Sequence, residues 1–154
     1  MKNLKIKPDD YYMIHAIKQA LLAYEEDEVP VGCVIVYNGK IIAKAHNQCI
    51  KKNDPTAHAE ILAIKKASKK IKNYRLPEMT LYTTLEPCIM CSGAIMHSRI
   101  NRIVIGALDK KRGALISNID LLNHSISNHK AEITSGVLGV ACKNIIKKFF
   151  KNKR

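Results

Sequence analysis

The chain has 154 residues, 47% hydrophobic and 25% charged, which suits one globular domain with its own core and excludes disorder along most of the length. Lys and Arg number 26 against 13 Asp and Glu, and the resulting net charge of +13 predicts attraction to polyanions. No stretch has the apolar length of a signal peptide or a membrane span, and 5 cysteines, two of them in a C-x-x-C, disfavour a secreted disulfide framework, so a cytoplasmic protein is expected.

Residues 1–154 read as one continuous domain without repeats or linkers. From Pro8 to Ala23, Met13, Ile17, Ala20, Leu21 and Tyr24 recur at helical spacing, with Asp9 and Asp10 at the favourable N-terminal end. Two β-branched runs, Val31 to Tyr37 and Lys40 to Ala45, flank Asn38-Gly39, the pair that a two-residue hairpin turn requires. Asp54-Pro55-Thr56 predicts a capped helix start and a helix to about Lys70. A strand over "MTLYTTL", a helix from about Cys88 to Ser98 opened by Glu86-Pro87, and a strand over "RIVIGA" follow. The last third predicts a short helix near Asp120 to Leu122, a strand at Lys130 to Thr134 and a helix from about Val137 to Phe150. Strands alternating with helices of these lengths indicate α/β layering.

Two local motifs carry chemistry. In "TLEPCIMCSGA", Cys88 and Cys91 are three apart, on one face of a helix whose first-turn N–H groups favour negatively charged sulfur. Two thiolates and one imidazole leave a tetrahedral zinc with one open position, the pattern of catalytic sites. A redox pair or two buried thiols would use the same C-x-x-C. His58 in "DPTAHAEILAIKKA" shifts the balance towards metal, because it stands at a helix start with Glu60 two residues on. There both side chains can edge one pocket, with His58 as ligand and Glu60 outside the metal shell. Cys33 reads as a buried strand residue, Cys49 and Cys142 as small apolar fillers.

The H-A-E and P-C-x-x-C pair resembles the signature of zinc-dependent cytidine and nucleobase deaminases. The fuller text, "EVPVGCVIV", "HNQCIKKNDPTAHAEI", "NYRLPEMTLYTTLEPCIMCSGAIMHSRI" and "RIVIGALD", is similar to bacterial tRNA-specific adenosine deaminases from about Asp10 to Phe150. The resemblance implies a three-layer α/β/α cytidine-deaminase-like fold with a mixed five-stranded sheet. It implies one zinc ion per subunit held by His58, Cys88 and Cys91, with Glu60 as proton shuttle for the water that replaces the amino group of adenine. It also places Asn47 in the pocket as a polar contact, Glu28 and Val29 on the pocket wall, Ala59 as a backbone donor beside the metal, and Asp109 near the RNA backbone. One departure stands out: "RGALISNIDLL" has Leu115 and Ile116 where the family commonly has a small residue and a Gly-Ser turn.

A free-purine (guanine) deaminase carries nearly the same zinc text, and a non-catalytic zinc-stabilised RNA-binding protein is a further alternative. Charge favours a tRNA substrate. Lys143, Lys147, Lys148, Lys151, Lys153 and Arg154 crowd the C-terminus around Phe149 and Phe150 with no acidic residue among them. Lys111, Lys147, Lys148, Phe149, Phe150 and Lys151 are therefore the expected RNA-backbone contacts. By resemblance the target is the wobble adenosine of an arginine tRNA anticodon stem-loop, and the enzyme is a homodimer.

Overall fold

The computed structural model describes residues 7–153; Arg154 of the basic tail and the lysines before residue 7 lie outside the described residues. In chain order the elements are helix α1 (Asp9–Glu25), strands β1 (Gly32–Tyr37) and β2 (Lys40–His46), the short helix α2 (Cys49–Lys52), and helix α3 (Ala59–Ile71). Strand β3 (Thr80–Leu85), helix α4 (Ile89–Ser98), strand β4 (Arg102–Ala107), a 3₁₀ turn at Leu121–Asn123, strand β5 (Glu132–Ser135) and helix α5 (Gly139–Lys153) complete the chain. The sheet order is β2-β1-β3-β4-β5. Strand β1 runs antiparallel to β2 and β3, while β3, β4 and β5 are parallel, so the sheet is mixed and five-stranded.

Strand side chains alternate between faces, and each face carries its own core. Cys33, Ile35, Leu81, Ile103 and Ile105 pack with Ala59, Ala63 and Ala67 of α3 and Ile95 of α4. Val34, Val36, Tyr82 and Val104 turn the other way, onto Tyr12, Met13 and Ala16 of α1 and Cys142 of α5. Burial on both faces explains the near-continuous apolar runs of β1 and β4 and produces the three layers, α1 and α5 on one side, α3 and α4 on the other. Asn38 and Gly39 both have positive φ, 49° and 74°, as the hairpin requires.

Several boundaries move for identifiable reasons. Leu21 points outward and is exposed, because α1 lies on β1 through small residues, Ala16, Ala20 and Ala23. A methyl at Gly32 would overlap the Ala16 carbonyl, so the helix sits directly on the strand backbone. The helix expected from Asp54 begins instead at Ala59. Asp54 Oδ1 accepts from both the Thr56 N–H at 2.8 Å and the Thr56 hydroxyl at 2.7 Å, which stabilises a turn that competes with helix. The preceding α2 has no sequence periodicity because it is one turn long; the C-terminal helix runs on to Lys153.

One polar clip ties the first layer to the far strands. Arg102 donates Nη1 to Asp9 Oδ1 at 2.8 Å and Nη2 to Asp9 Oδ2 at 2.7 Å, while Nη2 also reaches the Thr134 hydroxyl at 3.0 Å. The Tyr82 hydroxyl donates to the same Asp9 at 2.8 Å. This joins α1 to β3, β4 and β5.

Candidate active site

Strands β2 and β3 both run opposite to β1, so their carboxyl ends lie at one end of the sheet. From β2 the chain enters His46-Asn47; from β3 it enters Glu86-Pro87-Cys88. The turn at Asp54 to Thr56 delivers His58 in an extended conformation (φ −74°, ψ 152°) as the residue capping α3. Cys88 is likewise extended (φ −72°, ψ 177°) and caps α4. Two helix N-termini therefore converge on one point, and neither cap residue spends its side chain on its own helix. This is why His58 and Glu60 share a pocket although two apart: His58 stands just outside the helix that holds Glu60.

His58 Nδ1 lies 3.7 Å from Cys88 Sγ and 3.5 Å from Cys91 Sγ. Zinc bonds of about 2.3 Å to sulfur and about 2.0–2.1 Å to nitrogen, at a tetrahedral angle, separate the two atoms by about 3.6 Å. The donor set fits zinc in type and spacing. Among the described residues, the cluster comprises these three alone, which leaves one tetrahedral position for water or substrate. The Cys88 thiol is drawn down to about 3 by the hydrogen bond from Cys91, with His58 adding to it against burial. That same bond, with burial, pushes Cys91 up, and the contact with Cys88 raises His58. The two sulfurs thus share one proton, and both can be thiolates together only with a cation between them.

Glu60 is only 4% exposed, and its Oε1 is buried without a hydrogen-bond partner. Burial raises its pKa above the ordinary carboxylate range. An unpartnered carboxylate oxygen in a closed polar site costs free energy unless a ligand supplies the proton. Asn47 is buried beside it, and its Oδ1 accepts from the Ala59 N–H at 2.7 Å. That bond fixes the amide orientation, since only the oxygen can face an N–H, and leaves Nδ2 as the outward donor. Ala59, expected as a backbone donor beside the metal, donates its N–H to Asn47. A buried first-turn amide needs an acceptor, and Asn47 is the one in reach.

Glu28 is buried, not solvated. Its Oε1 accepts from the Ile50 N–H at 2.9 Å and its Oε2 from the Lys51 N–H at 3.0 Å, so both oxygens anchor α2. Val29 is exposed beside it. Asp109 Oδ1 accepts from the N–H groups of Lys111 at 3.1 Å and Arg112 at 3.2 Å. Lys111, Lys147, Lys148 and Lys151 are all exposed. Phe150 is 46% exposed and borders an open depression with Ile146, Lys147 and Lys151, whereas Phe149 is only 7% exposed. Phe149 is therefore corrected from an RNA contact to an anchor: it packs edge-on against Tyr24 of α1, centroids 5.9 Å apart, where helical periodicity turns it inward.

Sequence reasoning missed Glu86. Read only as a helix opener, it is a buried carboxylate that gathers the loop after β4, with the Asp109 N–H at 3.1 Å and the Ser117 N–H at 2.9 Å. Its neighbours suit a helix-opening acid and do not mark this role, because the donors it gathers lie 23 to 31 residues further along the chain.

A family profile of MafB19-like deaminases matches residues 7–154. The tRNA-specific adenosine deaminase of Bacillus subtilis is 46% identical over 146 residues, covering 95% of this chain and 91% of that protein. A solved structure from work on A-to-I editing by tRNA deaminases at the wobble position of transfer RNA aligns with a TM-score of 0.86 and 40% identity, over 88% of this chain and 98% of the other. The guanine deaminase of Bacillus subtilis aligns less completely, with a TM-score of 0.64 and 38% identity over 66% of each chain. The convergence of His58, Cys88, Cys91 and Glu60 at one end of this sheet, together with likeness along nearly the whole length, makes the chain a member of the tRNA-specific adenosine deaminase family.

Proposed function

We propose that this protein hydrolyses the 6-amino group of adenosine at the wobble position of a tRNA anticodon, leaving inosine, with an arginine tRNA as substrate. The observation that carries the reading is the buried Glu60 carboxylate, with one unpartnered oxygen, beside a His58, Cys88 and Cys91 donor set of zinc dimensions. His58, Cys88 and Cys91 would hold a single zinc ion, which would supply Lewis acidity and lower the pKa of a water towards ~7.

The chain's own residues do the rest. Glu60 takes one proton from the attacking water and carries it to N1 of the adenine, then takes the second from the hydroxyl now on C6 and gives it to the departing amine, so that ammonia leaves and C6 keeps the oxygen as a carbonyl. Its raised affinity for protons, set by burial, suits a group that must both accept and donate. Asn47, fixed by the Ala59 N–H, presents Nδ2 to an acceptor on the base edge. Glu28 acts through α2, which it holds at the rim, and Val29 supplies apolar wall. Asp109 has Oδ2 for a ribose 2′-hydroxyl, a group that distinguishes RNA from DNA.

The target must be an unpaired base, because a stacked adenine cannot reach a buried carboxylate, and an anticodon loop makes flipping cheap. Exposed Lys111, Lys147, Lys148, Lys151 and Phe150 form the phosphate and stacking footprint. Ile50 and Ile89, 69% and 63% exposed at the first turns of α2 and α4, support a homodimer whose contact lies beside the metal ligands. No helix among the described residues is long and apolar enough to cross a membrane. A tRNA substrate supports a cytoplasmic location. The free-guanine reading is less favoured, since relatives 46% and 44% identical over 95% and 98% of this chain are tRNA-specific adenosine deaminases, and a small purine needs no polyanion footprint.

The test is incubation of zinc-loaded protein with an arginine-tRNA anticodon stem-loop bearing wobble adenosine, beside free guanine and free adenosine. Inosine in the stem-loop and no ammonia from guanine is the expected result. Ammonia from guanine alone would refute the tRNA assignment while keeping the chemistry.

A further inference from the structure

We propose that Glu86 is a positioning residue for the RNA substrate: its carboxylate holds the loop of residues 109–118 against the metal-ligand segment, so that Asp109, Lys111 and Arg112 are pre-set to receive the anticodon stem-loop. The inference rests on the tRNA reading above and assigns it a residue that takes no part in proton transfer.

Glu86 is 2% exposed, and its charge is used entirely by one loop. Oε1 accepts from the Asp109 N–H at 3.1 Å and from the Ser117 hydroxyl. Oε2 accepts from the N–H groups of Leu115 at 3.3 Å, Ile116 at 2.9 Å and Ser117 at 2.9 Å. The loop closes so tightly around the carboxylate that a methyl at Gly113 would overlap it. The neighbouring Pro87 carbonyl adds a bond from the Ala114 N–H at 3.0 Å, and Leu115 is buried beneath.

The restraint passes outward in steps. With its own N–H held by Glu86, Asp109 uses Oδ1 to collect the N–H groups of Lys111 and Arg112, and its carbonyl accepts from the Gly113 N–H at 2.8 Å. The exposed Lys110, Lys111 and Arg112 thus project from backbone fixed to the residue two before Cys88. A metal site and an RNA-facing loop are built on one carboxylate. Because Glu86 grips mainly main-chain N–H groups, its hold does not depend on the exposed Ile116 side chain, while Leu115 is fixed separately by the core. Preorganisation of this kind lowers the ordering cost of binding without touching the chemical step.

The experiment uses full-length, zinc-loaded protein and reads zinc content, amide hydrogen exchange, and kcat and KM on the anticodon stem-loop. Glu86→Gln places an N–H₂ group among donors and is expected to speed exchange over residues 109–117 alone, keep zinc, and raise KM about tenfold with kcat changed less than about threefold. Glu86→Asp, which keeps the charge, should recover part of the KM. Ser117→Ala removes a single side-chain donor and is expected to give a smaller KM rise at unchanged kcat; it decides the matter if the Gln variant does not fold. Unaltered loop exchange, or a loss confined to kcat or to zinc, would overturn the proposal. Wild-type protein inert on the stem-loop would instead defeat the tRNA reading, with loop exchange in Glu86→Gln still deciding whether the carboxylate holds the loop.

Discussion

At Glu60 the sequence position and the physical environment make separate demands on the same carboxylate. Its place two residues after His58 brings it beside the ligands, and burial without a partner for Oε1 keeps its proton affinity high. Glu60→Gln retains shape but cannot move a proton, and is expected to keep near-normal zinc while turnover falls by about 10²–10⁴-fold, measured as metal content beside single-turnover inosine formation. Near-normal turnover would remove Glu60 from the mechanism. His58, Glu60, Cys88 and Cys91 were legible because each pair is local and its spacing carries the chemistry. Asn47, Glu28, Glu86 and Phe149 were not legible in role from their neighbours. Their partners are Ala59, α2, the loop after β4 and Tyr24, remote in sequence and brought near only by the sheet.

Among the elements, the two helices that present ligands work through their N-termini, and the remaining helices hold the frame. Helix α1 depends on contact with the β1 backbone at Gly32, where the strand N–H also donates to the Thr84 hydroxyl at 3.1 Å. Gly32→Ala would force a methyl against the Ala16 carbonyl and to 2.5 Å from the Ala20 nitrogen. Overpacking against backbone, which cannot rotate away, is expected to cost about 1–3 kcal/mol or more, read as a lower urea midpoint. Helix α5 shows how an amphipathic pattern divides its labour. Phe149 faces α1 while Phe150 and the lysines face out, and Lys153 pairs with Asp27 just before the Glu28 anchor. The basic end of the chain is thereby docked close to the pocket rim.

Over the whole molecule, charge and its few strong pairings govern the response to solution conditions. Replacing Lys147, Lys148 and Lys151 with Ala should weaken stem-loop binding and reduce the log–log salt slope by about 2 to 3, with turnover at saturation unchanged; an unaltered slope would remove these lysines from the footprint. The Asp9–Arg102 clip predicts a pH effect. Arg102 holds the Asp9 carboxyl below its ordinary value of 3.8, so its stabilisation is present above that pH and is lost as pH falls through the lower folded-state value. Asp9→Asn should lower the thermal midpoint at pH 7 by the equivalent of about 1 kcal/mol or less, as befits a partly exposed pair, and the difference should shrink as pH falls below 3.8.

The sequence by itself determined the alternation of strands and helices, the hairpin at Asn38-Gly39 and the candidate metal donor set of His58, Cys88 and Cys91, because periodicity, turn chemistry and ligand spacing act over a few residues. Tertiary structure alone decided that His58 caps its helix from outside, that Asn47 is oriented by Ala59, that Phe149 belongs to the core, and that Glu86 binds the loop after β4. Each of these depends on which buried donor finds which acceptor, and that pairing exists only once the sheet has brought distant segments together.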